Sequence, residues 1–292
     1  MAVGENFNKK EMIMWNIVQC AVQGRSHVKS GTPCQDKVYS CSKNKCDVIA
    51  LADGAGSAKY SHFGAERITQ VMGDAICENF DVLFNENDGA AVKRKLIDDI
   101  TLCLDDMAKE IECERKDLAS TFLLAAVCEE RYIIIHIGDG VIGYLKDDEL
   151  KVASHPENDE FANVTYFTTS KNVLSKINIL KGNLGNINGF ALMSDGTEFS
   201  FYDKRKKSLC EALKKIMLES RNSCTKLNAD VEEFFETQIK QRTNDDCSLI
   251  TIVRAETRVE DVAPQSMFRK LLNAIVLKIK SLFGRFFASK KK

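Results

Sequence analysis

The feature that most constrains the fold is an apolar run that ends in an aspartate and two glycines. Residues 48–57 read Val-Ile-Ala-Leu-Ala-Asp-Gly-Ala-Gly-Ser. Successive small and branched apolar residues are typical of a buried strand, and a glycine-rich turn takes the chain out of the sheet. Asp53 is therefore expected at a strand end, where its carboxylate and the Gly54 carbonyl face one hard cation. Asp-Gly is also typical of a hairpin turn, so this segment alone leaves both interpretations open.

Aspartates recur beside other apolar runs, and this recurrence favours a metal site over a simple hairpin turn. The five places are Asp36, Asp53, Asp139, Asp195, and Asp245 with Asp246. Carboxylates gathered from separate strands onto one edge repel one another, and a bound divalent metal is their natural compensation. Two cations that share a carboxylate activate water and stabilise in-line displacement at phosphorus, so phosphate-ester hydrolysis is the matching reaction. Carboxylate ligands with few histidines favour magnesium or manganese.

Hydrophobic periodicity predicts strands and helices in an order that differs from regular βαβ alternation. Strands are expected at 12–23, 37–41, 48–52, 121–128, 132–137, 141–145, 150–153, 164–168, 173–180, 189–193 and 249–253, with a loop at 25–35. Amphipathic helices are expected from Ser61, as the N-cap, to 76, and over 97–111, 208–219 and 230–240. This order predicts an α+β sandwich.

Composition excludes several classes of protein. The net charge of −1 gives no argument for nucleic-acid binding. The eleven cysteines are odd in number and lack any Cys-x-x-Cys spacing, and the N-terminus has no signal-peptide pattern. We therefore expect reduced thiols, no zinc site and a cytoplasmic protein.

Several dispersed motifs are specific together, although each is weak alone. They are Gln35-Asp36, Ala52-Asp53-Gly54-Ala55-Gly56, Gly138-Asp139-Gly140, a Glu-x-Ala-Asn-x-Thr segment at 160–165, Ser194-Asp195-Gly196 and Asn244-Asp245-Asp246-Cys247-Ser248. In this order and spacing, over residues 12 to about 254, the chain resembles protein phosphatase 2C, the metal-dependent PPM family, and its bacterial branch in particular. The resemblance implies a β-sandwich of two antiparallel sheets flanked by helices, a four-layer α-β-β-α arrangement, with metals in a cleft at one end.

The resemblance also implies a set of site residues that hold two Mn²⁺ or Mg²⁺ ions and a third, weaker metal. The implied metal ligands are Asp36, Asp53, the Gly54 carbonyl, Asp139, Asp195 and Asp245, and the implied catalytic residues are Asp53, Asp195 and Asp245. Asp53 would bridge two metals, Asp36 would act directly or through water, and Asp139 would face the third metal. Asp246 stands where the family often has asparagine and is the weaker candidate of its pair.

One departure from the family pattern concerns the substrate phosphate. Many members carry an arginine four residues before the Glu/Gln-Asp pair to hold this phosphate, and that position is Gly31 here. We expect Arg25 and His27 to replace it, with Lys29 and Lys37 as alternatives. Turnover is therefore expected to be slow.

A second departure concerns the leaving group. Many eukaryotic members carry a histidine directly after Asp-Gly as a proposed general acid, and that position is Ala55 here. A metal-bound water or His62 would have to protonate the leaving alkoxide, although a mid-helix histidine is more often packed or solvated. His136 lies within a strand and is expected to be structural.

The C-terminal part differs in pattern from the rest. We expect residues 1–255 to form the phosphatase-like domain and 256–292 to form a connector and a basic amphipathic helix. Lys278 and Lys280 interrupt its apolar stripe too early for a membrane span. Residues 264–289 would dock on an anionic membrane or a partner, and packing on the chain's own domain is the alternative.

The sequence thus predicts a metal-dependent serine/threonine phosphatase that hydrolyses phosphoserine and phosphothreonine by a metal-activated water. Its substrate would be a phosphorylated protein from a cognate serine/threonine kinase system. Two alternatives remain open: a phosphatase-like regulatory or binding module with weak activity, and a hydrolase of small phosphate esters.

Overall fold

The computed structural model describes residues 14–156, 165–222 and 224–256. The strands are β1 (Trp15–Val22), β2 (Lys37–Lys43), β3 (Cys46–Ala52), β4 (Phe122–Cys128), β5 (Arg131–Ile137), β6 (Val141–Lys146), β7 (Glu149–Ser154), β8 (Asn178–Asn183), β9 (Ile187–Met193), β10 (Tyr202–Asp203), β11 (Ser208–Leu209) and β12 (Cys247–Arg254). The first sheet has the order β1-β12-β9-β6-β7, the second has the order β2-β3-β4-β5-β8, and β10 pairs with β11. Every pairing between neighbouring strands is antiparallel.

Helices cover the outer face of each sheet. The α-helices are α1 (Arg25–Ser30), α2 (Ser61–Asn85), α3 (Gly89–Glu110), α4 (Val173–Lys176), α5 (Asp195–Phe201), α6 (Glu211–Ser220) and α7 (Thr225–Phe234). Helices α2 and α3 pack on the second sheet, and α6 and α7 pack on the first. The predicted four-layer α-β-β-α fold is therefore confirmed.

Strand β3 shows why an unbroken apolar run is needed in this fold. Val48 and Ala50 point to the core under α2 and α3, whereas Ile49 and Leu51 point to the core between the two sheets. All four side chains are fully buried. A strand that is covered on both faces loses the usual apolar-polar alternation, because successive residues enter two different cores.

Two local predictions near the carboxylate motifs are wrong. The predicted loop at 25–35 contains helix α1, which ends at Gly31 in the left-handed conformation, with φ of +72°. This short helix buries none of its side chains, so no apolar periodicity marks it. Ser61 is the first residue of α2 rather than its N-cap, and its hydroxyl instead accepts a hydrogen bond from Gln35 Nε2 at 2.6 Å.

Three predictions farther along the chain are wrong in type or boundary. The predicted strand 173–180 is α4 followed by β8, because Val173 and Ile177 are buried one helical turn apart. Of the predicted helix 208–219, the first two residues form β11. The predicted helix 230–240 is the end of α7 followed by a π-helical segment, Phe235–Ile239, and a 3₁₀ turn, Lys240–Arg242.

Some predictions fall partly or wholly outside the described residues. In the described part of the predicted strand 164–168 only an isolated bridge at Thr165 is present, so no strand forms there. Residues 257–292 lie outside the description, so the domain boundary after 255 and the helix at 264–289 stay predictions. Among the described helices, none combines the length and apolar character that crossing a bilayer requires. All eleven cysteines are free thiols.

The contact between Gly64 and Leu118 yields a test of the packing of α2. A Cβ at Gly64 would lie 2.1 Å from the Leu118 carbonyl oxygen, whereas a Cβ at Gly89 in α3 would meet nothing within 4 Å. Gly64→Ala should therefore lower the free energy of unfolding by about 1–3 kcal/mol, despite the better helix propensity of alanine. Gly89→Ala is the matched control and should be neutral or gain up to about 1 kcal/mol. Urea unfolding measures both, and equal effects of the two variants would contradict the proposed clash.

The buried His136 yields a test of how stability depends on pH. Burial lowers the pKa of this imidazole to about 4, and its Nδ1 lies 2.7 Å from Ser154 Oγ. Since the unfolded chain binds this proton at an ordinary pKa near 6.5, stability from this group is complete above that pH and is lost as pH falls toward 4. Between pH 7 and 5 the parent should lose about 2 kcal/mol more than His136→Gln. Urea unfolding of both proteins at both pH values gives the difference, and parallel pH profiles would refute it.

Candidate active site

The aspartates predicted from the sequence lie at one end of the sandwich because antiparallel neighbours begin and end at the same edge. Asp36 precedes β2, and Asp53 follows its neighbour β3. Asp245 precedes β12, and Asp195 follows its neighbour β9 after one residue. Asp139 lies where the chain crosses from β5 in the second sheet to β6 in the first. The two sheets therefore contribute carboxylates to a common edge.

These chain ends surround a cleft of about 430 Å³. Its lining residues are Ser26, His27, Asp53, Gly54, Ala55, Gly56, Asp139, Thr165, Phe167, Asp195, Thr243, Asn244 and Asp245. Asp36 is 1% exposed and lies behind this lining, whereas Asp245 is exposed. A second hollow, of about 490 Å³, lies at the other end of β12, where Arg221 pairs with Asp148 and Glu256. The cleft with the carboxylates is the site on which the sequence motifs converge.

The backbone of Asp53 is fixed on both sides by Thr121. Asp53 N–H donates to Thr121 Oγ1 at 2.9 Å, and Thr121 N–H donates to the Asp53 carbonyl at 2.8 Å. The next residue, Gly54, donates its N–H to the Gln35 carbonyl at 3.2 Å. A Cβ at Gly54 would lie 2.9 Å from Ser61 Cβ, so this close approach to α2 requires glycine. Asp53 and Gly54 are thus held at a defined position in the cleft.

The carboxylates in and behind the cleft raise one another's pKa. Burial raises the pKa of Asp36 to about 7, and Asp246 and Asp195 add to this shift. Desolvation, with the Asp36 and Asp195 carboxylates close by, holds the pKa of Asp53 well above its usual range. Burial and the neighbouring Asp139 raise the pKa of Asp195 to about 6. The cluster is therefore electrostatically unfavourable as anions alone, and a cation between its members would relieve the repulsion.

Several oxygens of this cluster have no hydrogen-bond partner among the described residues. They include both carboxylate oxygens of Asp36 and Oδ1 of Asp195. Ser194 and Ser248 lie near Asp36 and lower its pKa, although neither meets hydrogen-bond geometry with it. Unpartnered buried carboxylate oxygens are the ligands that a hard divalent cation prefers.

The kind of metal site that these residues can form depends on how many carboxylates can reach one ion. In the described part of the chain, no three His, Cys, Asp or Glu side chains are arranged to hold a single ion. Magnesium commonly binds through one or two carboxylates and keeps several waters. The donor set therefore fits a hydrated hard cation held by few protein ligands, and it does not fit a fully enclosed protein cage.

Asp246 has a different task from the carboxylates in the cleft. Its Oδ1 accepts the Gly24 N–H and its Oδ2 accepts the Gln35 N–H, both at 2.6 Å. His27 Nδ1 lies 2.9 Å from the same Oδ1, although the ring N–H is not aligned for a hydrogen bond. Asp246 is 2% exposed. Its carboxylate therefore ties the start of α1 and the Gln35-Asp36 motif to the start of β12.

The two residues expected to bind phosphate differ in where they lie. The Arg25 guanidinium donates from Nε to the Thr243 carbonyl at 3.0 Å and from Nη2 to Asn244 Oδ1 at 3.1 Å. It is not part of the cleft lining, whereas His27 is. Arg25 thus fastens α1 to the loop before β12, and His27 is the candidate phosphate-binding residue that lines the cleft.

The other two histidines considered from the sequence lie outside the lining. His62 lies against Phe63 in α2, with ring centroids 4.1 Å apart and the rings tilted by 37°. His136 is buried in β5 beside Ser154. Neither side chain belongs to the residues that line the cleft.

Sequence reasoning missed several residues of the lining. Ser26, Phe167 and Thr243 belong to no motif, and Asn244 enters only as the residue that flanks Asp245. Thr165, the last residue of the predicted Glu-x-Ala-Asn-x-Thr motif, donates its hydroxyl to Asp139 Oδ2. The glycines that bracket α1, at positions 24 and 31, were the available signal for a turn of helix beside the site.

Comparisons with known proteins agree with this fold and motif order. The protein phosphatase 2C family profile matches residues 23–247. Serine/threonine-protein phosphatase 3 of Escherichia coli is 26% identical over 190 residues, which cover 63% of this chain and 74% of that protein.

Solved structures of bacterial phosphatases share the fold at low sequence identity. A bacterial serine phosphatase aligns with a TM-score of 0.59 and 16% identity, covering 85% of this chain and all of the other. The serine/threonine phosphatase Stp1 from Staphylococcus aureus aligns with a TM-score of 0.58 and 16% identity, covering 82% of this chain and 95% of the other. With the family profile spanning most of the described residues and the carboxylate motifs at one cleft, the chain belongs to the protein phosphatase 2C family.

Proposed function

We propose that this chain is a metal-dependent protein serine/threonine phosphatase that hydrolyses phosphoserine and phosphothreonine. The observation that supports this proposal most directly is the group of aspartates from both sheets around one cleft, with unpartnered oxygens on Asp36 and Asp195. The proposed reaction is direct attack of water on phosphorus without a phosphoenzyme, because metal ions held by these carboxylates would activate water at the cleft.

Two Mn²⁺ or Mg²⁺ ions, with a third weaker metal, are the proposed cofactors. The proposed protein ligands are Asp36, Asp53, the Gly54 carbonyl, Asp139, Asp195 and Asp245. When bound, the ions would neutralise the carboxylates and lower the pKa of water at the cleft. The chain itself positions the proposed ligands. Thr121 fixes the backbone of Asp53, and Thr165 orients the carboxylate of Asp139. Because carboxylates must be deprotonated to bind metal, binding would release the protons that the raised pKa values retain.

The proposed substrate is a phosphorylated protein that a cognate serine/threonine kinase produces. The name of the Escherichia coli relative and the names of the bacterial neighbours describe serine/threonine or serine phosphatases, which supports this substrate class. His27 is the proposed contact for the substrate phosphate, and Arg25 would act from the rim after leaving its contacts with Thr243 and Asn244.

A binding module with weak activity is the second candidate function. The described lining of the cleft holds no lysine or arginine, and Gly31 occupies the position of the expected phosphate-binding arginine. A phosphate dianion would therefore depend on the metals for positive charge and on His27 for a side-chain contact. Hydrolysis of a phosphopeptide with manganese, compared with the same assay in EDTA, separates an enzyme from a binding module.

Asp53→Asn tests the proposed role of the metals. Loss of a metal-bridging charge should remove several kcal/mol of transition-state stabilisation, so kcat/KM on a phosphoserine peptide should fall roughly 100-fold or more. The manganese-induced rise in Tm should also be smaller in this variant. A variant that binds the metal more weakly gains less stability from it. Asp47→Asn, at the far end of the same strand, is the matched control and should leave both measurements unchanged. Parent-like values for Asp53→Asn would refute the assignment.

His27→Gln tests whether this histidine binds the substrate phosphate. A lost phosphate contact should lower kcat/KM by a similar factor, roughly tenfold, on a phosphoserine peptide and on p-nitrophenyl phosphate, because both carry the same phosphoryl group. The two leaving groups differ, since the serine alkoxide needs a proton and p-nitrophenolate does not. A loss confined to the phosphopeptide would reassign His27 to proton donation and would contradict phosphate binding.

A further inference from the structure

Four consecutive basic residues form the turn of the small β10–β11 hairpin, close in sequence to the catalytic motif of Asp195. They are Lys204, Arg205, Lys206 and Lys207, and all four are exposed. The whole chain has a net charge of −1, so this turn is a local concentration of positive charge on a nearly neutral protein. The proposed hydrolysis of phosphate esters assigns no task to it.

The hairpin is held in a fixed conformation by its own backbone and its base. Asp203 Oδ1 accepts the N–H groups of Arg205 and Lys206, each at 3.0 Å. Tyr202 pairs with Leu209, whose side chain packs against the core under α6 and α7. A turn ordered in advance presents its side chains to a partner without a further loss of backbone entropy.

Helix α5 connects this turn to the cleft. The helix begins at Asp195, which lines the cleft, and its seven residues carry the chain about 10 Å to the hairpin. Lys204 Nζ lies 2.7 Å from Oε2 of Glu198, a carboxylate in α5 that is 3% exposed. The base of the basic turn is thus fastened to the same helix that positions a site carboxylate.

The remaining charges of the turn are available for a partner. Lys204 is neutralised by Glu198, and Lys206 Nζ lies 4.0 Å from Asp203. Within the described ranges, Arg205 and Lys207 make no ion pair. The neighbouring Phe199 is 76% exposed, with Lys204 Nζ 5.6 Å from its ring centroid. The surface therefore combines two free cationic side chains with one apolar ring.

We propose that this turn binds an acidic segment of the phosphoprotein substrate, an inference that rests on the proposed phosphatase function. The cleft itself is lined by carboxylates, so acidic residues that flank the phosphate would be repelled there and attracted by the hairpin. An extended peptide advances about 3.3–3.6 Å per residue. A distance of about 10 Å or slightly more then selects acidic residues about three to four positions from the phosphorylated residue.

Two phosphoserine peptides test this selectivity when they differ only in glutamate against glutamine at those positions. The parent protein with manganese should prefer the glutamate peptide roughly fivefold to tenfold in kcat/KM, through KM rather than kcat. The preference should disappear near 1 M salt, where the Debye length is about 3 Å. Absence of a preference, with clear hydrolysis of the glutamine peptide, would overturn the docking proposal and leave the phosphatase proposal intact.

Charge-removing variants assign the preference to the hairpin. Arg205→Gln with Lys207→Asn should abolish the preference and leave kcat/KM on the glutamine peptide unchanged, since asparagine tolerates the positive φ of 51° at position 207. Arg94→Gln with Lys226→Gln removes the same charge from α3 and α7 and should retain the preference. A preference that survives the hairpin variant would overturn the proposal.

Binding measurements keep the proposal testable if no peptide is hydrolysed. Fluorescence anisotropy of the labelled peptides should show the same glutamate preference in the parent and its loss in the hairpin variant. Two further probes are a single-stranded oligonucleotide and vesicles that contain phosphatidylserine. If the hairpin variant loses binding to either probe while the peptide preference is absent, the turn recognises nucleic acid or membrane and the proposal is wrong.

Discussion

The cleft depends on one buried carboxylate that is not itself part of the lining. Asp246 accepts backbone N–H groups from Gly24 and Gln35, which precede α1 and β2 respectively, while its own residue precedes β12. One side chain therefore joins segments of both sheets. Charge-assisted hydrogen bonds of this kind are about twice as strong as neutral ones, and their burial keeps water from competing for the donors. Together with the apolar core between the sheets, this tie fixes the spacing of the carboxylates that the two sheets contribute.

Burial of apolar side chains throughout the fold offsets the electrostatic cost of the carboxylate cluster. Carboxylates that raise one another's pKa disfavour the folded state when no cation is present, because repulsion and desolvation both oppose their ionised forms. Three apolar layers, one between the sheets and one under each helical layer, supply the compensating stability. The rigid backbone around Asp53 and Gly54 then prevents the charged ends from separating. Carboxylates that repel one another stay close together only where the surrounding structure holds them in place.

Much of this architecture could be predicted from sequence, because its signals are local. The apolar run of β3 and the aspartate that follows it were recognisable, since full burial on both faces leaves an unbroken hydrophobic pattern. Of the aspartates in the motifs, Asp53, Asp139, Asp195 and Asp245 line the cleft and Asp36 lies behind it, whereas their roles as metal ligands stay predictions. Helix α1 buries no side chain and so has no hydrophobic periodicity, which leaves the glycines at its two ends as its only local signal. The stretch that forms α4 and β8 was misread because one buried turn of helix and a short strand have similar apolar patterns.

The functional role of Asp246 was also beyond prediction, for a different physical reason. Its partners are backbone N–H groups at positions 24 and 35, which any residue except proline could supply, and they lie more than 200 positions away in sequence. The contacts of Arg25 with the Thr243 carbonyl and the Asn244 side chain also join positions more than 200 apart in sequence. The type of a residue indicates which groups its side chain can bind, whereas the tertiary fold decides which of those groups lies beside it.

The pairing of β1 with β12 has a consequence for the timing of assembly. The two strands align over eight residue pairs, from Trp15 with Arg254 to Val22 with Cys247. Asp245 and Asp246 come immediately before β12, so the cleft requires the last strand of the described chain. During synthesis from the N-terminus, β2 and β3 can pair early, as can β6 and β9, but Asp245 joins the other carboxylates only after β12 has left the ribosome. The newly made chain therefore completes its cluster of negative charge only when its last described strand is in place.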